Sequence, residues 1–119
     1  MNEDNTLLHK SLKFASRIVK LYQYLVNEKK ESIISKQIIR SGTSIGANVH
    51  EAAYGVSQAD FISKMQISLK ETAETEYWLK LLVMSGYIEE KQGQSLINDC
   101  VEIKRILIAS LKTAKNKRK

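Results

Sequence analysis

Residues 37–52 read QIIRSGTSIGANVHEA, and the architecture turns on whether this stretch is one helix or a loop. Ile34, Ile38, Ile45 and Ala52 recur at three- and four-residue spacing, the period of a helix with one apolar face. Gly42 and Gly46 oppose that reading, because each costs about 1 kcal/mol relative to alanine inside a helix. Keeping both suggests that another backbone approaches closely; the alternative is a break into a loop at Ser41–Gly42. The periodicity on both sides favours a continuous or mildly kinked helix over 32–54.

Working outward, residues 6–27 carry Leu7, Phe14, Ile18, Leu21 and Leu25 on one stripe, with a second stripe of Leu8, Leu12, Ala15, Val19, Tyr22 and Val26 beside it. Asn5 or Thr6 is a candidate cap for the first turn. The stretch Asn27–Glu31 is too polar for a core and reads as a turn. Residues 58–85 open on Ser57-Gln58-Ala59-Asp60, a capping-box-like start, and place Ile62, Met65, Leu69, Leu79 and Val83 on a seam. Gly86 follows as a residue suited to the left-handed conformation that ends a helix. Residues 89–114 carry Leu96, Cys100, Ile103 and Leu107, flanked by Ile97, Val101, Ile108 and Leu111. The chain has 119 residues and no proline, enough for one domain. Four amphipathic helices joined by short turns predict an all-α, antiparallel up-down-up-down four-helix bundle over 1–111, followed by a basic tail over 112–119.

The formal net charge is +6, from 19 Lys/Arg and 13 Asp/Glu. Lys112, Lys115, Lys117, Arg118 and Lys119 supply five positives after the last acid, Glu102, which leaves 14 against 13 in the remainder. The tail is therefore the candidate nucleic-acid contact, by Coulomb attraction and counterion release; a solvated helix end is the plainer reading. No apolar run is long enough to span a bilayer, and MNEDNTLLHK has acids where a secretory signal carries cations. With a lone cysteine, these features lead to the expectation of a cytoplasmic protein away from membranes.

Chemistry-bearing motifs are sparse. His50-Glu51 begins like the zinc-helix motif HExxH, but position 54 is Tyr. Cys100 lies on an apolar face, where a small core residue is expected rather than a nucleophile. No Cys pair, Glu-x-x-His pattern or phosphate loop occurs, so neither catalysis, cofactor nor metal is expected. Thr72 and Glu76 interrupt the seam of the third segment, and Ser41 and Asn48 that of the second. A carboxylate near the core needs a partner, so Glu76 is predicted to reach hydroxyls or a cation such as Arg40 and to fix helix register. The run Tyr77-Trp78-Leu79-Lys80-Leu81-Leu82-Val83-Met84 is apolar most of the way round, which makes Tyr77, Trp78 and Leu81 a candidate oligomer interface.

Taken together, SLKFASRIVKLYQYL (11–25), QIIRSGTSIGANVHEA (37–52) and ETAETEYWLKLLVMSGYI (71–88) resemble the bacterial four-helix-bundle family named for proteins encoded in intervening sequences of 23S ribosomal RNA genes, some of which carry a ribosomal-protein name. The resemblance spans about residues 7–111. It implies a homo-oligomer, a pentamer around a central channel. The accessory protein of diversity-generating retroelements looks like a relative that binds nucleic acid and a reverse transcriptase through a strongly basic surface. The resemblance carries Ser41, Gly42, Ser44, Gly46, Asn48, Glu51, Glu76 and Trp78 as structural motif positions and none as catalytic. The functions to be weighed are an oligomeric scaffold touching RNA or DNA, and a protein-interaction module without nucleic acid.

Overall fold

The computed structural model describes residues 3–118. Four helices account for nearly all of them: α1 Glu3–Asn27, α2 Ile34–Ala53, α3 Gln58–Met84 and α4 Glu90–Arg118. α1 packs on α2 and α4, and α3 packs on the same two, so the four form a square in chain order. Cross-helix pairs set the directions. Ser41 meets Thr75 and Glu51 meets Lys64 between α2 and α3; Glu76 meets Lys104 and Gln58 meets Ala114 between α3 and α4; Lys10 meets Glu102 and Arg17 meets Ser95 between α1 and α4. In every pair one number rises as the other falls, so neighbours are antiparallel. The rod measures 49 × 22 × 22 Å.

The first predicted stripe of α1 and most of the seam residues of the other helices form the core, with Ile34, Leu69 and Val83 half-buried beside it. Leu7, Phe14, Ile18 and Leu25 of α1, Ile38 and Ile45 of α2, Met65, Leu79 and Leu82 of α3, and Leu96, Ile103 and Leu107 of α4 are fully buried. Each buried aliphatic or aromatic side chain contributes about 1.5–3 kcal/mol.

Residues 37–52 are helical throughout, without a break. Both glycines sit where α1 comes close. A Cβ on Gly42 would lie 2.8 Å from Cγ2 of Ile18, and one on Gly46 would lie 3.3 Å from the Ser11 carbonyl oxygen. The close backbone is thus at Gly46, whereas at Gly42 the obstacle is a stiff β-branched side chain.

The turns depart from expectation in three places. α1 begins at Glu3, so Asn5 and Thr6 lie within the helix rather than ahead of its first turn. The 27–31 turn is not wholly outside the core, because Glu31 is buried. Lys30 adopts φ 55° and turns the chain back, so the Glu31 carboxylate meets the free N–H groups of α2: Ile33 at 3.0 Å, Ile34 at 2.9 Å and Ser35 at 2.7 Å. Burial raises its pKa, but these donors and the Ser35 hydroxyl outweigh burial and hold it below the ordinary value. Third, α4 continues to Arg118, so the basic segment is largely the last turns of a helix, with Ala114 still buried.

The other two ends follow their sequence. Ser57 Oγ accepts from the Asp60 N–H at 3.0 Å, and Asp60 reaches back to the Val56 N–H at 3.3 Å. Gly86 takes φ +80°, and Tyr87 N–H donates to Leu82 O while Gly86 N–H donates to Val83 O, the paired bonds that close a helix on a left-handed residue.

Candidate nucleic-acid and subunit interfaces

Between α2 and α3 the polar residues satisfy one another. Thr75 Oγ1 lies 2.8 Å from the Glu71 carbonyl and 2.9 Å from Ser41 Oγ. Thr75 has one proton, which the carbonyl takes, so the Ser41 hydroxyl donates across the seam. Ser68 donates to the Ile45 carbonyl at 2.9 Å. Ser44 and Asn48 stay within α2, donating to the carbonyls of Arg40 and Ser44. Glu51 pairs with Lys64 at 3.1 Å.

Glu76 pairs with a cation, as expected, but the cation is not Arg40. It reaches neither Arg40 nor the seam hydroxyls but turns to α4, where Lys104 lies at 2.7 Å, with Lys80 at 2.9 Å. These two ammonium groups, Lys104 foremost, hold its pKa below the ordinary carboxylate value against the effect of burial. Arg40 instead clamps Glu71, at 2.9 Å, and Glu74. The cause is rotation: at about 100° per residue, positions 71, 74 and 78 face α2 and position 76 faces α4.

The same rotation revises the apolar patch. Trp78 is half-buried against the core, and its indole N–H donates to Glu74 Oε2 at 3.0 Å. That bond, then Arg40, lowers the Glu74 pKa. Tyr77 lies edge-on to the Trp78 ring, with 59% of its surface exposed. Met84 is 86% exposed and Leu81 half-buried. The outward ridge is therefore Tyr77, Leu81 and Met84, spaced i, i+4, i+7, with Trp78 at its inner margin.

Charge is sorted by helix. α1 and α4 together hold eleven Lys/Arg against five Asp/Glu, whereas α2 and α3 hold five against five. The whole +6 thus lies on one side of the square, which a count along the chain does not reveal. On α1, Lys10, Lys13, Arg17 and Lys20 form one stripe. Lys10 is held by Glu102 at 3.1 Å and Arg17 by Asp99 at 2.6 Å. Lys13, Lys20, Arg105, Lys112, Lys115 and Lys117 are exposed and have no acid within ion-pair distance among the described residues. Arg118 ends α4, and Lys119 lies outside the described residues. Lys13, Lys20 and Arg105 therefore join the tail positions that the sequence singled out.

Cys100 is buried and its thiol lies 3.4 Å from the Thr72 carbonyl. Burial, with Glu76 nearby, pushes it up to about 12, so it is a protonated packing group at neutral pH. His50 stacks at a tilt on Tyr54. Among the described residues no three His, Cys, Asp or Glu side chains converge as metal ligands, and no helix is long and apolar enough to cross a membrane.

Comparison with known proteins follows the fold closely. A sequence model of the family described as 23S rRNA-intervening sequence protein matches residues 3–109. A crystal structure from Bacteroides thetaiotaomicron VPI-5482, described as a protein with unknown function from the S23 ribosomal protein family, is 56% identical. The match covers 93% of this chain and 99% of that one, with a TM-score of 0.92. No curated protein matches.

Proposed function

Since the chain belongs to the 23S rRNA-intervening sequence protein family, we propose that it works as a non-enzymatic, self-associating helical scaffold that binds nucleic acid across α1 and α4. The observation that carries this is the charge partition, eleven cations against five acids on two adjacent helices and balance on the other two. Cations whose charge is not met by a neighbouring acid are those that can replace counterions on a phosphate backbone. Arg105, Lys112 and Lys115 recur along the outer face of α4, with Lys13 and Lys20 on the neighbouring helix, so a strand laid along the rod meets cations on both. No aromatic side chain is interleaved with the α4 cations, which fits backbone contact without base reading.

Self-association enters through the Tyr77–Leu81–Met84 ridge, whose large exposed side chains include no charge. The mechanism is multivalency: copies joined through α3 present several basic faces to one polyanion, and in the pentamer that the family resemblance suggests there are five. Light scattering for mass, with the absorbance ratio of the purified protein after low- and high-salt washes, tests both halves. The reading expects a multi-copy mass and nucleic acid that leaves at high salt. A protein adaptor, the reading favoured by the ridge alone, gives the same mass with no nucleic acid at either salt.

A further inference from the structure

The stripe of cations along α1 ends on an aromatic ring. Lys13, Arg17, Lys20 and Tyr24 follow one another at four-, three- and four-residue spacing, so they share one edge of the helix. Lys20 and Tyr24 line a hollow of about 440 Å³ between α1 and the start of α4, within the size range of clefts that hold small ligands. Glu89 and Gln92 line it from the α4 side, and the buried Leu21 and Leu96 form its floor. Tyr24 is 41% exposed, and the Lys29 ammonium stands 5.9 Å from its ring centroid. Among the described residues, no hydrogen bond or ion pair engages the side chain of Lys20, Tyr24, Glu89 or Gln92. Arg17 also reaches the hollow, but Asp99 at 2.6 Å and Ser95 at 3.2 Å hold it.

We infer that this hollow holds an unpaired nucleotide of a bound strand, its base stacked on Tyr24, its phosphate at Lys20 and its amino edge turned to Glu89. Three observations select that occupant. Lys20 and Tyr24 stand one turn apart, with about 5–6 Å between their Cβ atoms, a span comparable with that from a nucleotide's phosphate to its own base. A cation beside an exposed ring is the pairing that single-strand sites use. The Glu89 carboxylate only accepts hydrogen bonds, so it suits the exocyclic amino group of cytosine and repels the carbonyl that thymine carries at the same position. Finally, the hollow lies in line with Lys13 and Lys20 on the side of the square that carries the excess charge, so a strand held by those cations reaches it without turning. A base inside a duplex is stacked and paired, and only an unpaired one can enter. The inference rests on the nucleic-acid half of the reading above and adds a base contact that the α4 cations do not make.

The test is fluorescence anisotropy at one low salt concentration with labelled probes: a blunt duplex, and the same duplex bearing a short single-stranded overhang of cytosine, thymine or abasic nucleotides. The abasic overhang carries the same phosphates without bases, so the difference from it reports the base alone. With the parent chain, the cytosine overhang should bind about tenfold more tightly than the abasic one, and thymine should gain less. Tyr24→Ala should erase that gain and leave the affinity for the blunt duplex unchanged, while Tyr24→Phe keeps both; each variant is checked for helical circular dichroism. Glu89→Gln should keep the gain but bring cytosine level with thymine. Equal binding of the cytosine and abasic overhangs, or a gain that survives Tyr24→Ala, overturns the pocket while salt-dependent binding of the blunt duplex leaves the reading above in place. A thymine gain equal to that of cytosine in the parent chain overturns the role of Glu89. Free cytidine monophosphate that binds as tightly as the overhang would assign the hollow to a soluble nucleotide and overturn the inference equally. No binding of any probe would instead remove the nucleic-acid reading as a whole.

Discussion

The two halves of the bundle use polar residues in opposite ways. Between α2 and α3, the polar groups of the seam find partners inside the protein: Ser41 with Thr75, Ser68 with a carbonyl, Arg40 with two glutamates, Glu51 with Lys64. Across α1 and α4 only some cations are matched, and the excess faces water. Buried hydrogen bonds are expensive to break on one side only, while exposed charges add little to stability. Polar groups in the first half therefore hold register, and those in the second are available to a partner. Substitutions in the two halves should accordingly separate folding from binding.

The largest loss of stability is expected where α2 meets α1. Gly42→Leu drives a side chain into Ile18, whose own Cβ would lie 3.2 Å from the new Cβ. Overpacking of this kind costs about 3 kcal/mol, a large fraction of a small domain's stability, and urea denaturation should show a much lower midpoint. Thr75→Val comes next. It keeps the shape but leaves the buried Ser41 hydroxyl without its cross-helix acceptor, for a loss of about 1–2 kcal/mol.

Glu31→Gln is smaller, about 1 kcal/mol, the scale of a helix cap, and it has a pH signature. The folded pKa of Glu31 lies below its ordinary value of 4.5, so its contribution is complete above that value and disappears as pH falls through the lowered one. Denaturant midpoints of the parent chain should drop on acidification below about pH 4.5 by more than those of Glu31→Gln. Equal acid slopes would mean that the carboxylate does not cap α2.

The smallest stability change belongs to the basic half. Arg105→Glu/Lys112→Glu/Lys115→Glu alters three exposed side chains and should shift unfolding by no more than about 0.5 kcal/mol per site. Its effect on binding is the reverse. Removing three phosphate contacts should reduce the slope of log affinity against log salt by about 2.7 on duplex DNA. A triple variant that unfolds easily, or binds as the parent does, would erase the contrast between the halves.

The order of the fold was legible because burial of a helix leaves a 3.6-residue imprint that survives even two glycines: Ile38, Ile45 and Ala52 kept the period through 37–52. The ends at Ser57 and Gly86 were legible for a similar reason, since their chemistry is local. Glu31 was not, because its role depends on the left-handed backbone at Lys30, a residue type that gives no warning of one. Nor was the partner of Glu76, which is chosen by the rotation of α3 and by Lys104, 28 positions away. The half-burial of Trp78 was hidden for the same reason: one step of 100° separates it from the exposed face of Tyr77. The charge partition escaped a running count because α1 and α4 stand at opposite ends of the helix order, and only the assembled square puts them side by side.

The most direct test is the salt dependence of binding by the unmodified chain, measured by fluorescence anisotropy with a labelled duplex between about 50 and 200 mM salt. If the basic half engages about four phosphates, log affinity falls against log salt with a slope near −3.6. A slope indistinguishable from zero, or no binding at the lower salt, would contradict the claim that the charge on α1 and α4 is there for a polyanion.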